Sequence, residues 1–205
     1  MKVEQVFSDR ALMIDNETFA LGPNAYLTQV GLCVANLRTR EYEIPPTNFW
    51  MTQAGQEGRI IDVETVAWWV QQKPEISHGV LMVPEGTERT HPDVLFQRIK
   101  EIVDKEEGTT VWASPAMFDL AQLTSLWDGR KPWKYNMERD MMTLYKLIDP
   151  QGVLAPPEND SAHNAGADAG WQMECLFNLM HHLKYCIRAG EAARALEQEA
   201  LDRGG

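Results

Sequence analysis

Leu12-Met13-Ile14-Asp15-Asn16-Glu17-Thr18 sets two carboxylates directly after an apolar run, and how this stretch folds decides the rest. The run from Ala11 to Ile14 is short and apolar, which suits a buried strand better than a helix. Residues two apart on a strand point to the same face, so Asp15 and Glu17 project together. Paired carboxylates repel unless a cation lies between them, and hard oxygen donors suit Mg²⁺ or Mn²⁺. In an acidic chain an Asp-x-Glu recurs by chance, mostly as solvated surface. This one stands at the end of a buried strand, where an uncompensated pair is costly.

Working outward, Tyr26 to Ala35 is rich in β-formers, and Tyr42 to Phe49 is a third extended piece interrupted by Pro45-Pro46. Leu21-Gly22-Pro23-Asn24 is turn chemistry between the first two, so a hairpin meander is expected. Asp62 to Gln72 reads as a helix capped by Asp62 and closed by Lys73-Pro74. A further helix is expected from Pro92 to about Glu106, with Val94, Leu95, Ile99, Ile102 and Val103 at helical spacing. Thr109 to Ala113 then reads as a strand and Pro115 to Leu126 as a helix, while Arg139 onward is ambiguous. After a Pro- and Gly-rich loop from Asp149 to Asp160, Asp160 or Ser161 is expected to cap a helix running to about Ile187. A separate helix is expected over Glu191–Leu201, with Ala192, Leu196, Ala200 and Leu201 as its apolar positions. Residues 1–188 therefore read as one α/β domain on a single sheet, with 189–205 as a helical tail.

The 205 residues are 44% hydrophobic, enough for a core. The net charge of −11 argues against broad, charge-driven binding to duplex nucleic acid. It leaves room for an enzyme that takes one strand end into a site whose cations supply the positive charge. No apolar stretch is long enough for a membrane span, and MKVEQVFSDR lacks the apolar centre of a secretion signal, so a cytoplasmic protein is expected. Cys33, Cys175 and Cys186 read as free thiols in a reducing compartment. A zinc site from Cys175, His182 and Cys186 lacks a convincing fourth ligand, and ordinary helix packing explains them better.

Three further residues extend the constellation. Asp119 opens the apolar helix Leu120, Leu123, Leu126, where an aspartate also complements the helix dipole. Asp168 lies among Ala162, Ala165, Gly166, Ala167, Ala169 and Gly170, small side chains that let a helix press close to a sheet. His163 precedes Asp168 by five positions, about 140° around a helix, so the two need not share a face. Histidine titrates near neutrality and suits a general base, although a surface loop histidine is the plain alternative. Trp68 and Trp69 cannot both face the core squarely; core or interface is the favoured role, with a stacking platform as the alternative. Arg130-Lys131-Pro132-Trp133-Lys134 is either a guide for a nucleic-acid backbone or a charge-rich surface loop.

The order Asp15-x-Glu17, Asp119, His163-x4-Asp168 resembles the DEDDh 3′–5′ exonuclease superfamily, which includes polymerase proofreading subunits, RNase T and oligoribonuclease. The local wording is most similar to the branch holding phage exonuclease A, the nuclease part of exonuclease VIII and small mycobacterial exoribonucleases. That similarity rests on Asp15-x-Glu17-Thr18 followed by Gly22-Pro23-Asn24-Ala25, on Trp68-Trp69-x-x-Gln72, and on Val111-Trp112 leading into Phe118-Asp119. Arg139-Asp140 before Thr143-Leu144 is a weaker fourth match.

The resemblance implies an RNase H-like fold, a five-stranded mixed sheet flanked by helices on both faces. It implies two Mg²⁺ or Mn²⁺ ions held by Asp15, Glu17, Asp119 and Asp168, with His163 as general base. Thr18 and Phe19 would contact the terminal nucleotide. The expected partners are single-stranded DNA or RNA 3′ ends, with no membrane and with a homodimer left open. The expected activity is release of nucleoside 5′-monophosphates, and the alternative is an idle nuclease-fold module that binds nucleic acid or a protein. One departure bears on substrate preference. Relatives often carry a Gly-Asn-Gly-like stretch where this chain has Ala113-Ser114-Pro115-Ala116, and a proline there stiffens the loop and removes a donor.

Overall fold

The computed structural model describes residues 9–154, 156–159 and 163–203, with the side chains of the last helix described through 192 and at 194. Asp160 and Ser161, the expected caps, lie outside the described residues. The first strand, β1 (Arg10–Thr18), is longer than its apolar run, so Asp15 and Glu17 lie within the strand. It pairs antiparallel with β2 (Leu27–Asn36), which pairs antiparallel with β3 (Glu41–Met51), the expected meander. On its other side β1 pairs in parallel with β5 (Thr110–Ala113), and β5 in parallel with β6 (Glu138–Asp140). A two-residue strand, β4 (Arg89–Thr90), extends the β3 edge. Among the described residues the sheet thus has six strands, in the order β4-β3-β2-β1-β5-β6, rather than the five expected. The difference reflects strands of two and three residues, too short to leave a hydrophobic period.

Pro45-Pro46 does not break β3. Ile44 pairs with Val34 and Thr47 with Leu32, so the two prolines together face Cys33 alone. A bulge of this kind tolerates residues that lack a ladder donor.

The alternation along β1 assigns its two faces. Leu12 and Ile14 join Leu32, Val34, Val111 and Ala113 in a cluster closed by α3 (Pro92–Asp104) and α4 (Ala116–Leu126). Ala11 and Met13 join Cys33, Ala35 and Trp112 under α6 (Ala165–Arg203). Full burial of each large aliphatic side chain contributes about 1.5–3 kcal/mol, so both faces are firmly clad. Helices therefore cover both faces, as expected.

The remaining helices are α1 (Val63–Gln71), α2 (Pro74–Leu81) and α5 (Met141–Ile148). Asp62 caps α1 by accepting from Thr65 N at 3.0 Å. The two helices expected after the loop are one: α6 runs through Gly190 without interruption. Its first turns lie directly on the sheet backbone. A Cβ on Gly31 would come within 1.8 Å of Ala165 O, and one on Gly170 within 2.6 Å of the Pro46 ring. Among the described residues no helix is long and apolar enough to cross a membrane.

Candidate metal centre and active site

Because β1, β5 and β6 run parallel, their carboxyl ends share one edge of the sheet, where α4, α5 and α6 begin. Asp15 and Glu17 point to the α6 face, in phase with Ala11 and Met13. Asp168 sits in the first turn of α6 and meets them there. Carboxylate oxygens of Asp15, Glu17 and Asp168 lie within 4.8 Å of one another.

Asp119 reaches the same edge from the other side. β5 ends at Ala113, short of the level of Asn16. The carboxylate of Asp119, in the first turn of α4, fills that gap: its Oδ1 accepts from Asn16 N at 3.1 Å. Asn16 returns the contact through its side-chain amide, which donates to Asp119 O at 2.9 Å. Asp119 stands outside the tight trio, yet its charge reaches both Asp15 and Glu17.

The electrostatics describe a cluster short of positive charge. Burial, then the charges of Asp119, Glu17 and Asp168, push the Asp15 carboxyl well above the usual range against a lowering hydrogen bond from Gln172. Burial and the charges of Asp168 and Asp119 raise Glu17 to about 8. Burial raises Asp119 to about 7, against the lowering effect of its backbone donors. Acidic side chains grouped this closely at a buried edge repel one another, and a divalent cation of the Mg²⁺ or Mn²⁺ kind fits that set of hard oxygen donors.

The neighbours of the cluster hold it in place. Asp168 Oδ1 accepts from Asn159 Nδ2 at 2.6 Å, and its Oδ2 from His163 N at 2.6 Å. Gln172, one turn beyond Asp168 on α6, donates to Asp15 Oδ1 at 2.6 Å. Gln172 belongs to no motif in the sequence. Its signal was position alone, four residues after Asp168 and so on the same helical face.

His163 occupies a left-handed turn, φ 68°, just before α6. Its ring meets Trp68 and Trp69 edge-on, with centroids at 5.6 and 5.2 Å. Trp69 is buried and donates its indole N–H to Thr18 O at 2.9 Å, whereas Trp68 is 46% exposed. Thr18 is buried, its hydroxyl donating to Ala20 O at 2.8 Å, and Phe19 stacks on Tyr26 at 5.8 Å.

The cations of the Arg130–Lys134 cluster face carboxylates from neighbouring elements. Arg130 faces Asp93 at 3.9 Å, Lys131 pairs with Glu138 at 2.6 Å, and Lys134 faces Glu107 at 3.6 Å. Trp133 is buried and donates to Glu138 Oε1. Cys186 Sγ lies 3.4 Å from His182 Nε2 on one face of α6, while Cys175 is buried. Among the described residues, only Asp15, Glu17 and Asp168 have metal-ligand spacing.

A mixed sheet clad on both faces, with acidic residues gathered at the carboxyl ends of its parallel strands, defines an RNase H-like nuclease fold. Comparison with known proteins agrees. Solved structures with the same fold include exonuclease I with bound product, at TM-score 0.56 and 15% identity over 87% of this chain. The chain spans 46% of that protein's length. A 3′-exonuclease that recognises the histone mRNA stem-loop matches at TM-score 0.53 and 14% identity, over 86% of this chain and 83% of its own. The RNase domain of yeast Pop2 matches at TM-score 0.51 and 13% identity, over 84% and 77%. No curated protein matches the sequence. The model of the 3′–5′ exoribonuclease Rv2179c-like domain matches residues 10–180, and the chain belongs to that family. That family is one of 3′–5′ exoribonucleases, hydrolases of phosphodiester bonds.

Proposed function

We propose that this protein removes nucleoside 5′-monophosphates from single-stranded 3′ ends, RNA foremost, by two-metal hydrolysis. Asp15, Glu17, Asp119 and Asp168 hold the Mg²⁺ or Mn²⁺ ions. When bound, these cations polarise the scissile phosphate and stabilise charge on the attacking and leaving oxygens. The convergence of Asp15, Glu17 and Asp168 within 4.8 Å, from residues 153 positions apart (168 − 15), carries this reading. The family's description as exoribonucleases favours RNA over DNA.

The chain's own groups divide the remaining work. His163 takes the proton of the attacking water, and its backbone N–H fixes Asp168. Gln172 orients Asp15. Thr18 and Phe19, directly after Glu17, meet the terminal nucleotide, with the Phe19 ring beside its base.

The test is cleavage of 5′-labelled single-stranded RNA and DNA of equal sequence, with Mg²⁺ or Mn²⁺, beside Asp15→Ala. The expected result is a ladder shortening from the 3′ end, faster on RNA, lost with chelator and in the variant. A folded, metal-loaded protein that cuts neither strand would instead be an idle nuclease-fold module.

A further inference from the structure

We infer that Trp68 and Trp69 form a clamp that positions the His163 imidazole, making the tryptophan pair of α1 part of the catalytic apparatus. The inference rests on the reading of His163 as general base. Three observations carry it. His163 sits in a left-handed turn, a conformation that non-glycine residues adopt sparingly and that neighbouring structure has to hold. Its ring lies against two indoles at once, at interplanar angles of 80° to Trp68 and 84° to Trp69, and the indoles themselves meet at 4.7 Å and 70°. Edge-to-face contacts of this kind are directional, so they fix the orientation of the ring as well as its position.

The third observation is what anchors the clamp. Trp69 N–H donates to Thr18 O, the residue following Glu17. The same indole pair thus touches both the end of the strand bearing Asp15 and Glu17 and the turn bearing His163. These segments are far apart in sequence, and α1 gauges the distance between them. Trp69 is the buried anchor, and the half-exposed Trp68 is the adjustable jaw. Both are positioning residues: they act through His163.

The test compares Trp68→Ala, Trp68→Phe, His163→Ala and the Trp68→Ala/His163→Ala double variant on one 3′-ended RNA with Mn²⁺. Misplacing a reacting group by about 1 Å costs on the order of 100-fold in rate. Trp68→Ala is therefore expected to lower kcat about 10- to 100-fold with KM within about twofold, and Trp68→Phe to restore most of it. In the His163→Ala background the same truncation is expected to change nothing further, since the group it positions is gone. An unchanged kcat in Trp68→Ala, a defect confined to KM, or an equal loss in both backgrounds would each overturn the clamp.

A readout independent of turnover separates this from the reading beneath it. NMR of the ring-labelled histidine should show indole ring-current shifts on His163 that disappear in Trp68→Ala and persist, reduced, in Trp68→Phe. If His163→Ala cuts at the full rate, the general-base role falls. If the ring shifts are absent from the wild-type protein, the clamp falls whatever the rates show.

Discussion

Gln172 donates its side-chain amide to Asp15 Oδ1 at 2.6 Å, joining α6 to β1 across 157 positions of sequence. The residue is buried, and its Oε1 has no partner among the described residues. A neutral donor on a metal-binding carboxylate fixes the direction of the ligand without competing for its charge. Gln172→Ala should weaken Mn²⁺ binding and cleavage together, by about 10- to 100-fold, as removal of such outer partners does. Calorimetric titration of Mn²⁺ beside single-turnover cleavage checks both, and intact metal affinity would show the contact to be ordinary packing.

The pH dependence of the metal-free protein follows from the raised carboxyls. Glu17 rises from 4.5 to about 8 and Asp119 from 3.8 to about 7, both chiefly through burial. The folded state therefore holds protons that the unfolded state has released. The associated stabilisation is full below the unfolded values and fades as pH climbs through the folded ones. With chelator, Tm should fall steadily from about pH 5 to about pH 8.5. Divalent metal displaces those protons, so Mn²⁺ should flatten or reverse the slope. Melting curves with and without metal decide the matter; a chelated protein that gains stability with pH would contradict the assigned shifts.

Asp15→Asn removes one charge from the cluster while keeping the side chain's size. It should stabilise the metal-free fold, raising Tm by roughly 2–4 °C for each kcal/mol of repulsion relieved. Cleavage should drop to the level of a no-enzyme control. The paired measurement is a thermal melt in chelator and the 3′-end assay in Mn²⁺. A variant both less stable and inactive would mean that the carboxylate serves the fold rather than the metal.

Gly31 marks where α6 touches the sheet. A methyl there would meet Ala165 O and the neighbouring Gly166 N, both main chain, with no side chain to yield. Gly31→Ala should cost on the order of 3 kcal/mol or more and displace the turn that carries Asp168. Gly190→Ala is the matched control, since nothing lies within 4 Å of its Cβ. In a helix interior that change should be neutral or stabilising by up to about 1 kcal/mol. Urea denaturation of the two variants separates close contact from glycine loss in general.

Sequence made the strand carrying Asp15 and Glu17 visible because burial on both faces leaves an apolar run, and it showed α1 through the Asp62 cap. It concealed α2 because Pro74 reads as the stop of α1, while proline fits the first turn of a new helix equally well. It divided α6 near Gly190, a residue that weakens a helix without ending one. That Asp15, Glu17, Asp119 and Asp168 belong to one constellation was readable from spacing and resemblance. The partners that orient them were not: Gln172 and Asn16 are ordinary amides until the fold brings them against Asp15 and Asp119. The pairing of the basic loop at Arg130–Lys134 was hidden in the same way, since its cations face carboxylates supplied by α3, its following loop and β6.

Asp119 completes the sheet where β5 stops, and this gives one carboxylate two clients. Its Oδ1 serves the amide of Asn16 while the same group contributes to the acidic cluster. Drawing its electrons toward a cation weakens what it offers the amide, so the Asn16 N–H becomes a reporter on the centre. Its exchange with solvent deuterium, followed against metal concentration, would record the loading of the site from within the backbone, with no nucleic acid present and no catalysis under way.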